Sequence, residues 1–166
     1  MKNKVFASLA AVALAFAAPA LAEKSAGDRV DDGTIATSVK GSLLAEKGVP
    51  SSDINVEVYK GVVLLSGFVK TQAEKDAAGK VAKNVKDVGS VRNQLVVHPS
   101  TSMGTKLDDT MLVSKVKAAL VDASDVKSGQ INVEARGGIV QLGGFVTSEA
   151  MKGRALAVAK GVSGVK

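Results

Sequence analysis

One histidine, two aspartate pairs and two glycine pairs are the residues of this chain that invite a chemical reading. His98 stands beside Pro99, and no serine or acid is placed to form a catalytic triad with it. A single His cannot build a His-based metal site, and the chain has no cysteine to add thiolate ligands. His98 therefore reads as a solvated residue in a connecting segment. Asp31-Asp32 and Asp108-Asp109 look like paired carboxylates for acid–base work. Adjacent residues at a helix start do not face a common point, so the pairs read as helix N-caps. Gly137-Gly138 and Gly143-Gly144 lack the Gly-x-x-x-x-Gly-Lys-Ser/Thr order of a phosphate loop and read as a hairpin turn and a strand. With no acid–base or nucleophile grouping to assemble, the chain is expected not to be an enzyme and to take no metal or cofactor.

Two surfaces could bind instead. Lys152, Leu156 and Lys160 recur at four-residue spacing along one shoulder of an expected helix, and Lys75, Gly79 and Lys83 form the same row in an earlier one. Lysine stems lie along apolar surface while their ammonium groups reach anionic headgroups, so this row is the expected lipid-binding site. The other reading is an ordinary solvated helix face. Phe68 and Phe145 fall by strand alternation on a sheet face turned away from the helices, with Val62 and Leu64 nearby. An open apolar face marks a contact, here between modules, between chains or with unfolded clients.

The elements that must position these residues come in duplicate. Residues 32–89 lie over 109–166 without a gap at a shift of 77, with about 24 identities in about 58 pairs. Each copy opens with a helix whose apolar residues recur every four positions: Ile35, Val39 and Leu43 in the first, Leu112, Val116 and Leu120 in the second. Ile54, Val56 and Val58 alternate with polar residues as a half-buried strand, Lys60-Gly61 turns the chain, and residues 62–69 return. Thr71-Gln72-Ala73-Glu74 is a capping box opening a second helix that buries Ala78, Val81 and Val85. Ser148 takes the cap position in the second copy, with Met151, Ala155, Val158 and Val162 as the buried stripe. Gly67 and Gly144 point toward the helices by alternation, so they are expected to allow close helix-to-sheet approach. Residues 91–97 supply a last strand in the first copy; no counterpart follows in the second, which reads as a truncated module or, alternatively, as a natural ending whose last strand another chain supplies. The expected fold class is α+β: two tandem α-β-β-α-β modules, each a small mixed three-stranded sheet with two helices on one face, the second lacking its last strand.

Composition agrees with folded modules built from Val, Ile, Leu and Ala, since hydrophobic content is 46% but aromatic content only 3%. Lys2 and Lys4, the apolar run over residues 5–16 and Ala20-x-Ala22 have the layout of a secretory signal peptide cleaved after Ala22. The run is too short to span a bilayer, and the mature chain is expected in the periplasm with no transmembrane segment. Cleavage lowers the net charge from +6 to +4, too mild to argue for nucleic acid. The expected organisation is a signal peptide (1–22), a polar extension (23–30), module 1 (31–97), a linker (98–106) and module 2 (107–166).

The residues Asp31-Asp32 and Asp108-Asp109, Gly61-Val62-Val63-Leu64-Leu65-Ser66-Gly67 with Gly138-Ile139-Val140-Gln141-Leu142-Gly143-Gly144, and Val81-Ala82-Lys83-Asn84-Val85 with Val158-Ala159-Lys160-Gly161-Val162 resemble the BON-domain family. The resemblance covers nearly all of residues 29–166. It implies a bacterial envelope role: survival of osmotic stress, contact with phospholipid surfaces, or chaperone-like help to envelope proteins. An anionic phospholipid surface or an envelope protein is the partner it implies, with self-association through the open sheet faces as the alternative. Lipoproteins of the family are anchored through an N-terminal Cys, which this sequence lacks.

Overall fold

The computed structural model describes residues 26–99 and 103–166. The expected signal peptide, residues 1–22, lies outside the described residues, as do 23–25 of the extension and 100–102 of the linker. Module 1 runs α1 (Ala26–Ala45), β1 (Ile54–Tyr59), β2 (Val62–Val69), α2 (Gln72–Lys83), β3 (Ser90–Asn93) and β4 (Val96–Val97). Module 2 repeats it as α3 (Met103–Asp122), β5 (Ile131–Arg136), β6 (Ile139–Gly144) and α4 (Glu149–Lys160). α1 and α3 thus begin inside segments expected to be extension and linker. A single 3₁₀ turn leads into each first strand, Ser51–Asp53 and Ser128–Gln130.

β2 is the central strand of module 1. It pairs antiparallel with β1 and parallel with both β3 and β4. The single last strand expected over residues 91–97 is therefore two short pieces in one line. Val62 faces Ser90 and Phe68 faces Val96, the same offset, so the interruption at Gln94-Leu95 falls opposite Ser66-Gly67. In module 2, β5 and β6 form an antiparallel pair in the register of β1 and β2. Lys166 N donates to Gly138 O at 3.0 Å, matching the 2.9 Å bond from Gly89 N to Gly61 O.

Helices cover one face of each sheet. Ile35, Val39 and Leu43 of α1 meet Val56, Val63 and Leu65 of the sheet, with Leu95 filling the gap between β3 and β4. Leu112, Val116 and Leu120 of α3 meet Val133, Val140 and Leu142 in the same way. The second helices approach closely because their innermost residues are small: Ala78 and Ala82 in α2, Ala155 and Ala159 in α4. The branched residues expected at those positions, Val81, Val85, Val158 and Val162, flank the core partly buried. Thr71 and Glu74 form the capping box, and Ser148 Oγ accepts from Met151 N at 3.1 Å.

Two expectations need correction. Asp32 and Asp109 are not helix caps; each lies inside its helix, buried, and grips the hairpin of its own module. Asp32 accepts from Lys60 N at 2.8 Å and Gly61 N at 2.9 Å. Asp109 accepts from Gly137 N and Gly138 N at the same two distances. These two-residue turns have positive φ at both centres, which points their N–H groups outward as a pair for one carboxylate to receive. Gly67 and Gly144 do not make room for a helix. A Cβ on Gly67 would collide with the carbonyl oxygen of Asp53, and one on Gly144 with that of Gln130. Both glycines have positive φ, +122° and +153°, where the strand bends past the 3₁₀ turn.

Removing a carboxylate leaves two N–H groups without their acceptor. Asp32→Ala and Asp109→Ala should each cost about 3 kcal/mol, with the corresponding Asn variants milder, since hydrogen bonds to a charged group contribute about 1.5–3 kcal/mol. Urea unfolding of the purified chain measures this; a loss under about 0.5 kcal/mol would remove the clamp from the account of stability.

Candidate functional site

The sheet faces left bare by the helices are packed on each other. Leu64, Ser66 and Phe68 of β2 are buried there, at 1%, 2% and 3% exposure, and Gln141 of β6 is buried opposite. The contacts obey an approximate two-fold relation under the 77-residue shift. Asn55 Nδ2 donates to Glu134 Oε1 at 3.0 Å, and reciprocally Asn132 Nδ2 donates to Glu57 Oε1. The Tyr59 ring lies 5.5 Å from the Phe145 ring, and in the equivalent place the Arg136 guanidinium lies 5.4 Å over the Phe68 ring. Ser66 meets its own counterpart, Gly143: a Cβ on Gly143 would come within 2.8 Å of Ser66 Cβ.

Within that symmetry, Arg136 and Gln141, which differ from their counterparts Tyr59 and Leu64, tie the joint together with His98. Arg136 pairs with Asp53 at 3.1 Å and donates to the His98 carbonyl at 3.3 Å. His98, expected as a solvated linker residue, is partly buried with its ring edge-on to Phe68. Gln141, where module 1 has Leu64, accepts from Gly67 N at 2.5 Å and donates to Gln94 O at 2.6 Å. It therefore satisfies backbone groups at the interruption between β3 and β4. The sequence carried a signal for it, a polar residue opposite a leucine in a gapless repeat, but not its destination. Desolvation pushes the Glu57 carboxyl up to about 7, against the Asn132 hydrogen bond and the charge of Lys40, which lower it.

Phe68 and Phe145 are thus brought into one joint, each against a residue of the other module. The expected lysine rows are not continuous surfaces. Lys152 pairs with Glu149 at 3.5 Å, Leu156 packs against the core of module 2, and Lys160 is exposed. On α2, Lys75 is partly buried and Lys83 exposed, and Gly79 between them is covered by Asn93, whose Nδ2 donates to Lys75 O at 2.7 Å.

A different helix face stands out. Among the described residues the exposed large apolar side chains are Leu44, Val97, Leu107, Met111 and Val121. The last three, 68%, 60% and 67% exposed, lie on α3. With exposed Ser114 and Ala118 they follow a 4-3-4-3 spacing, a single stripe opposite the buried one. Thr110 and Ser114 turn their hydroxyls back to main-chain carbonyls of their own helix. At 100° per residue Lys106 and Lys117 stand on one shoulder without an acid; Lys115 stands on the other with Asp108 and Asp122. The equivalent positions of α1 are Val30, Thr34, Thr37, Gly41 and Leu44, so the two copies differ in large apolar residues along this line only at Met111. Below it is an open cavity of about 280 Å³ lined by Met111, Lys115, Gly138 and Lys166, among others. Among the described residues no cluster of His, Cys, Asp or Glu could hold a metal, and no helix is long and apolar enough to cross a membrane.

Two like α+β modules, joined through their bare sheet faces by packing and structural hydrogen bonds, define a tandem-repeat domain protein. The repeat is the BON domain, matched by residues 31–99 and 108–166, and the chain belongs to that family. It is 41% identical over 142 residues to Osmotically-inducible protein Y of Escherichia coli (strain K12), covering 84% of this chain and 71% of that one. It is 31% identical over 144 residues to outer membrane lipoprotein DolP of Haemophilus influenzae, covering 86% and 74% respectively. A solved C-terminal domain of CdsD, a structural protein of the type III secretion system of Chlamydia trachomatis, is also similar, at 13% identity and a TM-score of 0.33 over 81% of this chain and 62% of that one.

The Ser66–Gly143 contact permits a direct test of the joint. Gly143→Ser should destabilise the chain by about 1–3 kcal/mol through overpacking. Adding Ser66→Gly should restore most of the loss, and a double-mutant cycle in urea gives the coupling. Additive effects would mean that the two residues do not meet.

Proposed function

We propose that this chain is a non-enzymatic periplasmic protein of the bacterial envelope that acts under osmotic stress by weak, reversible binding to anionic phospholipid surfaces. The envelope setting is supported by the N-terminal export pattern and by its relatives, one named as osmotically inducible and one as an outer membrane lipoprotein. The observation that carries the mode of action is the exposed stripe Leu107, Met111 and Val121 on α3, flanked on its acid-free shoulder by Lys106 and Lys117. A helix lying in a membrane interface buries an apolar face while basic residues on its shoulders meet the headgroups. The lysine row on α4 is a second, smaller surface, because Leu156 is already engaged in the core. Self-association or chaperone-like binding through the sheet faces requires the modules to part, since those faces cover each other here.

Lys106 and Lys117 contribute about 2 kcal/mol at an anionic surface, Lys115 being offset by Asp108 and Asp122 on its own shoulder, and partial burial of Leu107, Met111 and Val121 adds about 3 kcal/mol. The sum corresponds to a dissociation constant of roughly a few hundred micromolar. Leu107→Glu with Met111→Glu should reduce pelleting with phosphatidylglycerol vesicles at least tenfold while circular dichroism stays unchanged, because both substituted positions are exposed. Lys152→Glu with Lys160→Glu should reduce it less. Binding should fade with salt and be weak on neutral phosphatidylcholine vesicles. Undiminished pelleting of the α3 variant would overturn this reading of the stripe.

A further inference from the structure

With the sheets inside and the helices outside, α1 and α2 form one end of the molecule and α3 and α4 the other. The stripe of α3 is the side of that helix turned away from both sheets, so a second body can approach it without meeting module 1. Its spacing, Leu107, Met111, Ser114, Ala118 and Val121, is that of the seam along which one helix packs on another. Size divides the seam: large Leu107 and Met111 come first, then small Ser114 and Ala118, all exposed. A parallel copy of the helix would set Leu107 on Leu107 and Ala118 on Ala118, wide layers followed by narrow ones. In an antiparallel copy Leu107 meets the partner's Ala118 and Met111 meets the partner's Ser114. Both pairings share one centre, between Leu112 and Val113. Each layer then holds one large and one small side chain, which keeps the helix axes evenly spaced and fills the seam.

The shoulders follow from the same two-fold relation, because in an antiparallel pair each shoulder meets its own copy. On the shoulder that carries acids, Asp108 comes beside the partner's Lys115, and Lys115 beside the partner's Asp108, offset by about 3 Å along the axis. On the other, Lys106 approaches the partner's Lys117, which weakens the pairing and keeps it reversible. We propose that the α3 stripe is a self-complementary surface on which a second copy of this chain docks, antiparallel, about a two-fold axis passing between Leu112 and Val113. The pairing goes beyond the membrane reading of the stripe and does not rest on it. In solution the second copy covers the side chains that a lipid surface would take, so copy and membrane compete for one face.

Sedimentation equilibrium of the purified chain, without lipid and from micromolar to millimolar concentration, should show a reversible monomer–dimer equilibrium that closes at two copies. Ala118→Leu makes the stripe more apolar but fills the hole that receives Leu107. It should weaken pairing about tenfold while vesicle pelleting holds or rises, and adding Leu107→Ala should restore pairing. Asp108→Lys should weaken pairing by a similar factor, and Asp108→Lys with Lys115→Asp should recover it. These positions are exposed, so far-ultraviolet circular dichroism should stay the same in every variant. The chain has no cysteine, so register can be read directly. Asp108→Cys chains mixed with Lys115→Cys chains should be joined by a short bismaleimide faster than either kind is joined to itself. A chain that stays monomeric at millimolar concentration, growth beyond a dimer, an Ala118→Leu variant that pairs more tightly, or no preference for the mixed crosslink would each overturn the pairing. The sedimentation contains no lipid, so its failure leaves the vesicle result standing, and a failure of vesicle binding leaves the sedimentation result standing.

Discussion

A sheet with helices on one side only has a second face, and that face cannot be left apolar and wet. In each copy the second face carries a phenylalanine, and in module 1 a leucine as well. Burying one such side chain contributes about 1.5–3 kcal/mol, a large share of what a module of this size can muster. The other features of the joint follow from that constraint. The faces are placed against each other, the strand line β3–β4 is interrupted where the other module's Gln141 enters, and the linker residue His98 is drawn in against Phe68. The buried carboxylates of Asp32 and Asp109 hold each hairpin onto its first helix, so that two already shaped faces meet.

Once the sheet faces are used up, contact with anything else falls to the outer helix surfaces, and there the two copies have diverged. Core positions repeat almost residue for residue, Ile35, Val39 and Leu43 against Leu112, Val116 and Leu120. Some outward positions do not: Thr34 and Gly41 of α1 stand where α3 has Met111 and Ala118, while Val30 and Leu44 match Leu107 and Val121 in character. A difference confined to the solvent side of two otherwise equivalent helices changes no packing within the module. It changes what the surface presents to a partner, adding an exposed Met111 where module 1 has Thr34.

The repeat, the element order, the capping box and the alternation that turns Phe68 and Phe145 to the same kind of face were legible in the residues, because each rests on local periodicity or on a motif a few residues long. Where the side chains go afterwards was not. Asp32 has the right type and neighbourhood for a cap, but its helix starts at Ala26, and its partners lie 28 and 29 residues away across a hairpin. Gly67 was assigned a helix as its neighbour, but a Cβ there would meet the main chain at Asp53, since alternation gives a direction and not what waits there. The lysine row on α4 has the right spacing, but spacing alone does not reveal that Leu156 is drawn into the core. The α3 stripe was hidden by its own strength: a helix apolar on both sides gives a weak periodic signal, and the buried side was read first.

The contact of Ser66 with Gly143 also says something about history. Across a true two-fold axis in a homodimer, the residue nearest the axis meets an identical copy of itself, and a side chain there must leave room for its own image. Here the two positions are separate codons of one chain. One can carry a hydroxymethyl group because the other carries only hydrogen, an arrangement closed to any pair of identical subunits. The same freedom lets Leu64 stand where its counterpart is Gln141, and Tyr59 where its counterpart is Arg136. Fusing two copies of a module therefore does more than keep them together. It releases each half of a symmetric joint from having to fit itself, so that one half can specialise while the other holds it in place.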